Sequence, residues 1–166
     1  TVDLSAFYFD IRKDNLYCDP IDSKKRKSTI ILLNIILNAL LKWFAPILSF
    51  TTEEIFKLLF SDQKSIHLQK FIEFPEKFKN EKLSEKWNKL IKIRNICNIS
   101  IEEKRASKEI GSSLEADLKI QISQKLKNLT ENTDFAELCI TSKAEVSYKD
   151  DIDTIASTSK AMGTKC

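Results

Sequence analysis

Histidine and cysteine, which often supply nucleophiles, proton relays and metal ligands, are scarce in this chain of 166 residues. His67 is the single histidine, so the sequence offers no Ser-His-Asp arrangement and no cluster with zinc-ligand spacing. It also contains no glycine-rich loop of the kind that cradles phosphates. The residue types and spacings therefore argue against a catalytic centre, and we expect a structural or solvent-facing role for His67.

The cysteines are scattered without the paired spacing of a metal site, at positions Cys18, Cys97, Cys139 and Cys166. Together with a composition typical of intracellular proteins, this spacing predicts free thiols rather than disulfides. The formal net charge of +3 is mild for a chain of this length. Any contact with a polyanion must therefore come from local patches of positive charge.

Long helices must dominate the fold, because two glycines and three prolines provide few turns. A first helix is predicted by apolar residues at three- and four-residue spacing, with Arg12 and Lys13 in its last turns. Those apolar residues are Leu4, Phe7, Tyr8 and Ile11.

A second helix is predicted over residues 23–44, capped by Asp22 or Ser23 and ended by Pro46. The basic run at residues 24–27 precedes an apolar segment, which is also the pattern of a signal anchor. The apolar segment is shorter than the roughly 20 residues of a membrane span, and it carries a polar stripe. We therefore expect a bundle helix that is mostly buried; the stripe consists of Asn34, Asn38 and Lys42.

A capping box of Thr51 and Glu54 predicts a third helix, and residues 62–82 read as an irregular crossover pinned by its aromatic side chains. Ser84 is the predicted cap of a long fourth helix that reaches about Glu109 and is ended by Gly111.

From residue 117 the apolar period changes to two, which predicts a half-buried strand at 117–122. A short helix from Ser123 and further strands at 136–140, 144–148 and 152–157 complete the pattern. The predicted fold class is mainly α. It consists of a helical bundle over residues 1–113 followed by a small α+β subdomain over residues 114–166.

Two sequence segments are more specific than these periodic patterns: LSAFYFDIRKDNLYCD at residues 4–19 and APILSFTTEEIF at residues 45–56. They resemble the start of the anticodon-binding region of class I isoleucyl-tRNA synthetases. A further string, EEKRASKEIGSSLEA at residues 102–116, is similar to the signature of that family at the junction with its C-terminal subdomain. Valyl-tRNA synthetases share the bundle but usually differ at residues 6–10, so their equivalent region is the alternative.

The resemblance implies an anticodon-binding bundle and a junction subdomain, excised from a longer cytoplasmic enzyme that ligates isoleucine to tRNA(Ile) with ATP. The two motifs with which class I enzymes activate amino acids do not occur here, so we expect this chain alone to be inactive. Residues 160–166 resemble the lead-in to a zinc finger, with Cys166 as the first ligand of a truncated site. ATP and zinc are expected for the parent enzyme and no cofactor for this chain. The expected partners are the anticodon stem-loop and the rest of the synthetase, not a membrane or DNA.

Binding an anticodon loop requires cations at phosphates and flat side chains for unstacked bases. Each candidate also has a plainer interpretation: Arg94 as a buried arginine paired to a carboxylate, Tyr17 as a core residue, and the other cations as solvated charges. Asn15 stands where the family usually has arginine. A structural bundle without RNA binding of its own is the rival function. The candidates are Arg12, Lys13, Tyr17, Arg94, Arg105 and Lys108.

Overall fold

The computed structural model of the chain describes residues 3–150 and 152–163. It confirms a mainly α fold with a small sheet, which has three strands in the described residues. The chain divides into two compact units, Thr1–Lys79 and Asn80–Cys166. This division differs from the boundary expected at residue 113, because the long fourth helix packs on the sheet that follows it.

The first unit opens with a π-helical segment, Asp3–Phe9, and a short helix α1, Lys13–Tyr17. The predicted apolar stripe is confirmed, since its members are buried or half-buried. The expected position of the two cations is wrong: Arg12 directly precedes α1 without a capping hydrogen bond from its side chain, and Lys13 begins α1, so neither lies in the last turns of a single first helix.

Helix α2, Lys24–Phe44, has the predicted bounds, and the hydroxyl of Ser23 accepts a hydrogen bond from the N–H of Arg26 at 3.4 Å. Its expected burial is wrong, because Ile31 is 60% and Trp43 50% exposed. Apolar side chains occur around most of the helix, whereas its neighbours within the unit cover only part of it. By length and a mean hydropathy of 1.4, α2 also passes the test for a membrane-crossing helix, as core helices of soluble proteins do.

Helix α3, Ser49–Leu59, begins before the predicted capping box, so Thr51 and Glu54 lie inside the helix. Leu48 occupies the cap position without a side-chain hydrogen bond. The unit is held by a small apolar core that joins α2, α3 and the segment after α3. This core contains Leu41, Ala45, Phe56 and Ile66.

The carboxylate of Glu53 fixes the start of the crossover that follows α3. It accepts hydrogen bonds from the N–H of Ile66 at 2.9 Å and from the hydroxyl of Ser65 at 2.8 Å, and Lys57 lies 3.0 Å away. These contacts, with the N–H of Ile66 contributing most, lower the pKa of Glu53 to about 2. Glu53 and the buried Ile66 therefore pin the crossover.

The prediction that aromatic side chains pin the crossover is confirmed for Phe74, whose ring packs edge-on against that of Trp43 with centroids 6.4 Å apart. It is wrong for the largely exposed Phe71.

In the second unit, helix α4, Glu81–Ala106, is capped by Asn80 rather than by Ser84. The side-chain oxygen of Asn80 accepts the N–H of Leu83 at 3.0 Å. The helix also ends before the predicted glycine. Lys108 adopts a left-handed backbone conformation with φ of 59°, and the chain leaves the helix there instead of at Gly111.

Strands β1, Ala116–Ser123, β2, Lys143–Lys149, and β3, Ile155–Lys160, form a sheet in the order β2-β1-β3. β1 pairs parallel with β2 and antiparallel with β3. α4 packs on this sheet, and the hydroxyls of Ser100 and Thr158 meet at 2.8 Å. The core of the unit includes Leu90, Ile93, Cys97 and Ile101 from α4 and Ala116, Leu118, Ile120 and Ile122 from β1.

Two short helices connect β1 to β2: α5, Lys127–Thr130, and α6, Phe135–Cys139. The predicted strand at 136–140 is therefore wrong. Asp134 caps α6 by accepting the N–H groups of Ala136 at 3.0 Å and Glu137 at 3.1 Å. Residues Phe135, Leu138 and Cys139 are buried at helical spacing.

The hydrogen bonds of Glu53 predict a pH-dependent contribution to stability. Because the pKa of this carboxyl is lowered from 4.5 to about 2 on folding, the contribution is present above about pH 4.5 and lost as the pH falls towards 2. We expect Glu53→Gln to lower the melting temperature at pH 7, with the difference from wild type shrinking between pH 4.5 and 2. Thermal melts across this range measure it.

Glu54→Gln is the matched control, since Glu54 is an exposed carboxylate on the same helix. Equal melting temperatures for the Glu53 variant and wild type at pH 7 would contradict the assigned role.

Candidate nucleic-acid interface

The turn between α1 and α2 is organised around Asp19. The carboxylate of Asp19 accepts the hydroxyl of Ser23 at 2.8 Å, and its backbone carbonyl accepts a guanidinium N–H of Arg26 at 2.8 Å. The backbone N–H of Ser23 also donates to the carbonyl of Pro20 at 2.9 Å. These hydrogen bonds fix where the basic run at the start of α2 lies relative to α1.

A cavity of about 410 Å³ lies where the π-helical segment, α1 and α2 meet. Three of its lining side chains are cations and three carry hydroxyl groups, one of which belongs to an aromatic ring, and none of the described lining residues is acidic. Such a set matches the phosphate and sugar groups of a nucleic acid, which cations and hydroxyls bind without reading the base. The lining residues are Tyr8, Arg12, Lys24, Lys25, Ser28, Thr29 and Leu32.

Arg12 is positioned in this cavity by two neighbours. Its guanidinium lies 5.9 Å from the centre of the Tyr8 ring, and its Nη1 donates to the side-chain oxygen of Asn15 at 3.0 Å. Asn15 is buried, so the residue that departs from the family pattern holds a neighbouring arginine in place. A guanidinium fixed in this way loses little freedom when it binds a phosphate.

Lys13 and Tyr17 lie on α1 but do not line the cavity. Lys13 is ion-paired with Asp10 at 2.6 Å, and this hydrogen bond raises the pKa of Lys13. Tyr17 is 82% exposed, so the interpretation of Tyr17 as a core residue is wrong. Its ring is accessible for stacking with a base.

Arg105 and Lys108 line a separate, open cavity of about 480 Å³ in the second unit. There the charges are mixed, because Arg105 pairs with Glu102 at 2.6 Å. The nearby Lys104 donates to Glu109 at 2.9 Å, which lowers the pKa of Glu109. This second cavity therefore suits a polyanion less well than the cavity of the first unit.

Arg94 lines neither of these cavities. It is half-buried on α4, and its Nε donates to the backbone carbonyl of Leu138 at the end of α6, at 2.9 Å. This bond gives Arg94 a structural task within the second unit. Its contact with RNA stays a prediction.

The candidates chosen from the sequence did not include Tyr8, Lys24 and Lys25. A signal was present, since Tyr8 lies four residues before Arg12 and the basic run begins α2, but nothing in the pattern showed that the chain folds these segments together. Cys166 lies outside the described residues. Within the described ranges, no group of three or more histidine, cysteine or acidic side chains is arranged to hold a metal.

The family model for the "anticodon-binding domain of tRNA ligase" matches residues 1–122. The chain therefore belongs to the family of anticodon-binding domains of tRNA ligases. The match contains the whole first unit, including the cavity that Arg12, Lys24 and Lys25 line.

Curated relatives carry the name isoleucine–tRNA ligase. The protein of Pelagibacter ubique is 61% identical over 166 residues, which are 100% of this chain and 18% of the relative. The protein of Bartonella henselae is 41% identical over 99% of this chain and 18% of its own length, and that of Agrobacterium fabrum 44% over 87% and 15%. The resemblance to isoleucyl-tRNA synthetases is confirmed, and the chain spans less than a fifth of these relatives.

The different surroundings of Arg94 and Tyr17 predict that substitutions there affect stability to different extents. Arg94→Gln should reduce the free energy of unfolding by about 1 to 3 kcal/mol, because the carbonyl of Leu138 loses a charged donor. Tyr17→Ala should change it by no more than about 0.5 kcal/mol, since the side chain is exposed. Urea unfolding monitored by circular dichroism measures both, and a larger loss for Tyr17→Ala than for Arg94→Gln would reverse our assignment.

Proposed function

We propose that this chain is the tRNA-docking region of an isoleucine–tRNA ligase and that it binds the anticodon arm of tRNA(Ile). The observation that carries the proposal is the cavity in the matched region, where the three cations Arg12, Lys24 and Lys25 converge. The names of the relatives support the choice of isoleucine.

In this proposal the cations of the cavity neutralise backbone phosphates, which supplies most of the affinity and no base preference. The exposed Ser28 adds a hydroxyl contact to the sugar-phosphate backbone, whereas the buried Thr29 donates its hydroxyl to the carbonyl of Lys25 at 2.9 Å. Tyr17, on the exposed side of α1, stacks with an unpaired base of the loop, a contact that tolerates any base. Arg105 and Lys108 provide a second, weaker contact.

We assign the rest of the activity to the complete enzyme, of which this chain is a part. The parent enzyme activates isoleucine with ATP in the cytoplasm and transfers it to tRNA, and its zinc finger begins at Cys166. The remainder of the synthetase chain is the second partner. The division into the bundle 1–113 and the junction subdomain 114–166 belongs to the same proposal.

A second function is supported by the ion pairs. Lys13 and Arg105 each face a carboxylate within 2.6 Å, which reduces the positive potential that they offer to RNA. The chain would then be a structural module that holds other parts of the enzyme and has no RNA affinity of its own. The next experiment separates the two functions.

Phosphate neutralisation predicts that the logarithm of affinity for an anticodon stem-loop falls linearly with the logarithm of salt concentration. The double variant Lys24→Gln/Lys25→Gln should reduce this slope by up to about 2, because each lysine can release at most about one counterion. Tyr17→Ala should weaken binding by about 1 to 3 kcal/mol without a change in slope. Fluorescence anisotropy titrations at several salt concentrations measure both effects.

The matched control is Lys64→Gln/Lys70→Gln, which removes the same charge from exposed positions of the same unit. Arg105→Gln/Lys108→Gln tests the second cavity in the same assay. Equal slopes for the cavity variant and the control would contradict the cavity as the RNA contact. No binding by wild type at low salt would favour the structural module.

The absence of both activation motifs predicts that the purified chain does not catalyse isoleucine-dependent exchange between ATP and pyrophosphate. The full-length enzyme is the positive control for this assay. Exchange above background, in a preparation free of host synthetase, would show that activation chemistry resides in these 166 residues.

A further inference from the structure

Helix α2 is about twice as long as α3, and this difference leaves part of its apolar surface uncovered within the first unit. α2 has 21 residues and α3 has 11. At about 1.5 Å per residue, the two helices are about 32 and 16 Å long. Leu37 and Leu41 of α2 pack in the core shared with α3. Ile30 precedes Leu37 by seven residues and lies on the same stripe of the helix, but its side chain is 42% exposed.

Two further isoleucines of α2 extend this uncovered surface. Ile31 is 60% and Ile35 41% exposed, and with Ile30 they form what we call the isoleucine face. The side of α2 towards α1 is occupied, because Thr29 is buried and lines the cavity together with Arg12. Exposed apolar side chains that cluster on one face, unlike those scattered singly, mark an interaction surface.

The length of the relatives indicates what covers this face. The whole chain matches 18% of the Pelagibacter ubique protein, so more than four-fifths of such a polypeptide lies outside these residues. Segments of one polypeptide meet at a high effective concentration, and a small apolar contact between them is enough. A stable complex of separate chains buries about 800 Å² on each partner, and three partly exposed isoleucines supply much less. The isoleucine face therefore suits a contact within one polypeptide better than a contact with a second copy.

We propose that the isoleucine face docks an apolar helix from the part of the synthetase polypeptide that lies outside these 166 residues. The inference rests on the proposed function in one respect, namely that the chain is a region of a longer isoleucine–tRNA ligase. It does not depend on RNA binding. A helix fits because the face continues the stripe with which α2 packs on α3. The uncovered length of α2, about 16 Å, corresponds to about three helical turns.

Asn34 adds a polar requirement to this contact. It is exposed and lies between Ile30 and Leu37 on the same stripe of α2. An amide that becomes buried in an apolar contact needs a hydrogen-bond partner. The docked helix therefore carries a hydrogen-bonding side chain opposite Asn34, which fixes its register as a single buried asparagine does between paired helices.

The test is hydroxyl-radical footprinting of the full-length enzyme and of the 166-residue chain, both without RNA. Radicals label aliphatic side chains according to their exposure, and mass spectrometry quantifies the label at each residue. We expect the labelling of Ile31 and Ile35 in the full-length enzyme to fall to about a fifth or less of that in the isolated chain, because a packed interface excludes solvent.

Two matched variants of the full-length enzyme sharpen the test. Ile31→Gln should raise the labelling of Ile35 about twofold or more, because an amide without a partner disfavours burial of the face. Ile99→Gln is the control, since Ile99 is 62% exposed on α4 and Ile31 is 60% exposed on α2. It should leave the labelling of Ile35 unchanged. Both positions are exposed in the isolated chain, so both variants of that chain should keep the wild-type circular dichroism spectrum.

Equal labelling of Ile31 and Ile35 in the full-length enzyme and the isolated chain would overturn the proposal. Protection in the isolated chain that grows with its concentration would also overturn it, because a second copy would then cover the face. So would protection that appears only with phosphatidylglycerol vesicles, because the face would then bind a membrane surface. RNA enters none of these measurements, so failure of the docking contact and failure of the RNA contact are recorded separately.

Discussion

The arrangement of positive charge in the first unit depends on one short turn. Asp19 binds the hydroxyl of Ser23 through its side chain and the guanidinium of Arg26 through its carbonyl, and Ser23 in turn caps α2. The cap fixes the residue at which α2 begins, and the Arg26 bond ties this helix start back to the turn after α1. Without this turn, the lysines at the start of α2 would have no fixed relation to Arg12. The cavity with its three cations is a consequence of these few hydrogen bonds.

Local arrangement matters more than total charge in this protein. The net charge of +3 is small, and many cations face a carboxylate, as Lys13 and Arg105 do. Exposed pairs of this kind contribute little to stability, but they weaken the field that a polyanion meets. The cavity of the first unit differs because three cations, Arg12, Lys24 and Lys25, line it together. We therefore assign the main phosphate contact to this cavity rather than to the fourth helix.

Periodicity predicted what depends on local sequence. The bounds of α2 and the alternation of β1 follow from residues a few positions apart, and both are confirmed. The strand expected at 136–140 is a helix, because the hydrogen bonds of the Asp134 cap outweigh a short alternating pattern. The predicted burial of α2 was wrong because the periodicity of apolar residues does not show how much of a helix the neighbouring elements cover. The cavity itself was not predictable, since Tyr8 and Lys24 are brought together only by the fold of the intervening turn. The sequence segments that resemble the synthetase family indicated the class of protein, but they did not indicate this contact.

The most direct measurement of the central claim is lysine footprinting. The chain is acetylated at low extent with and without a saturating anticodon stem-loop, and the modification of each lysine is quantified by mass spectrometry. Our account predicts that RNA protects Lys24 and Lys25 strongly while the exposed Lys57, paired with Glu53 in the same unit, reacts at an unchanged rate. Unprotected Lys24 and Lys25 in a complex that protects other lysines would contradict the account.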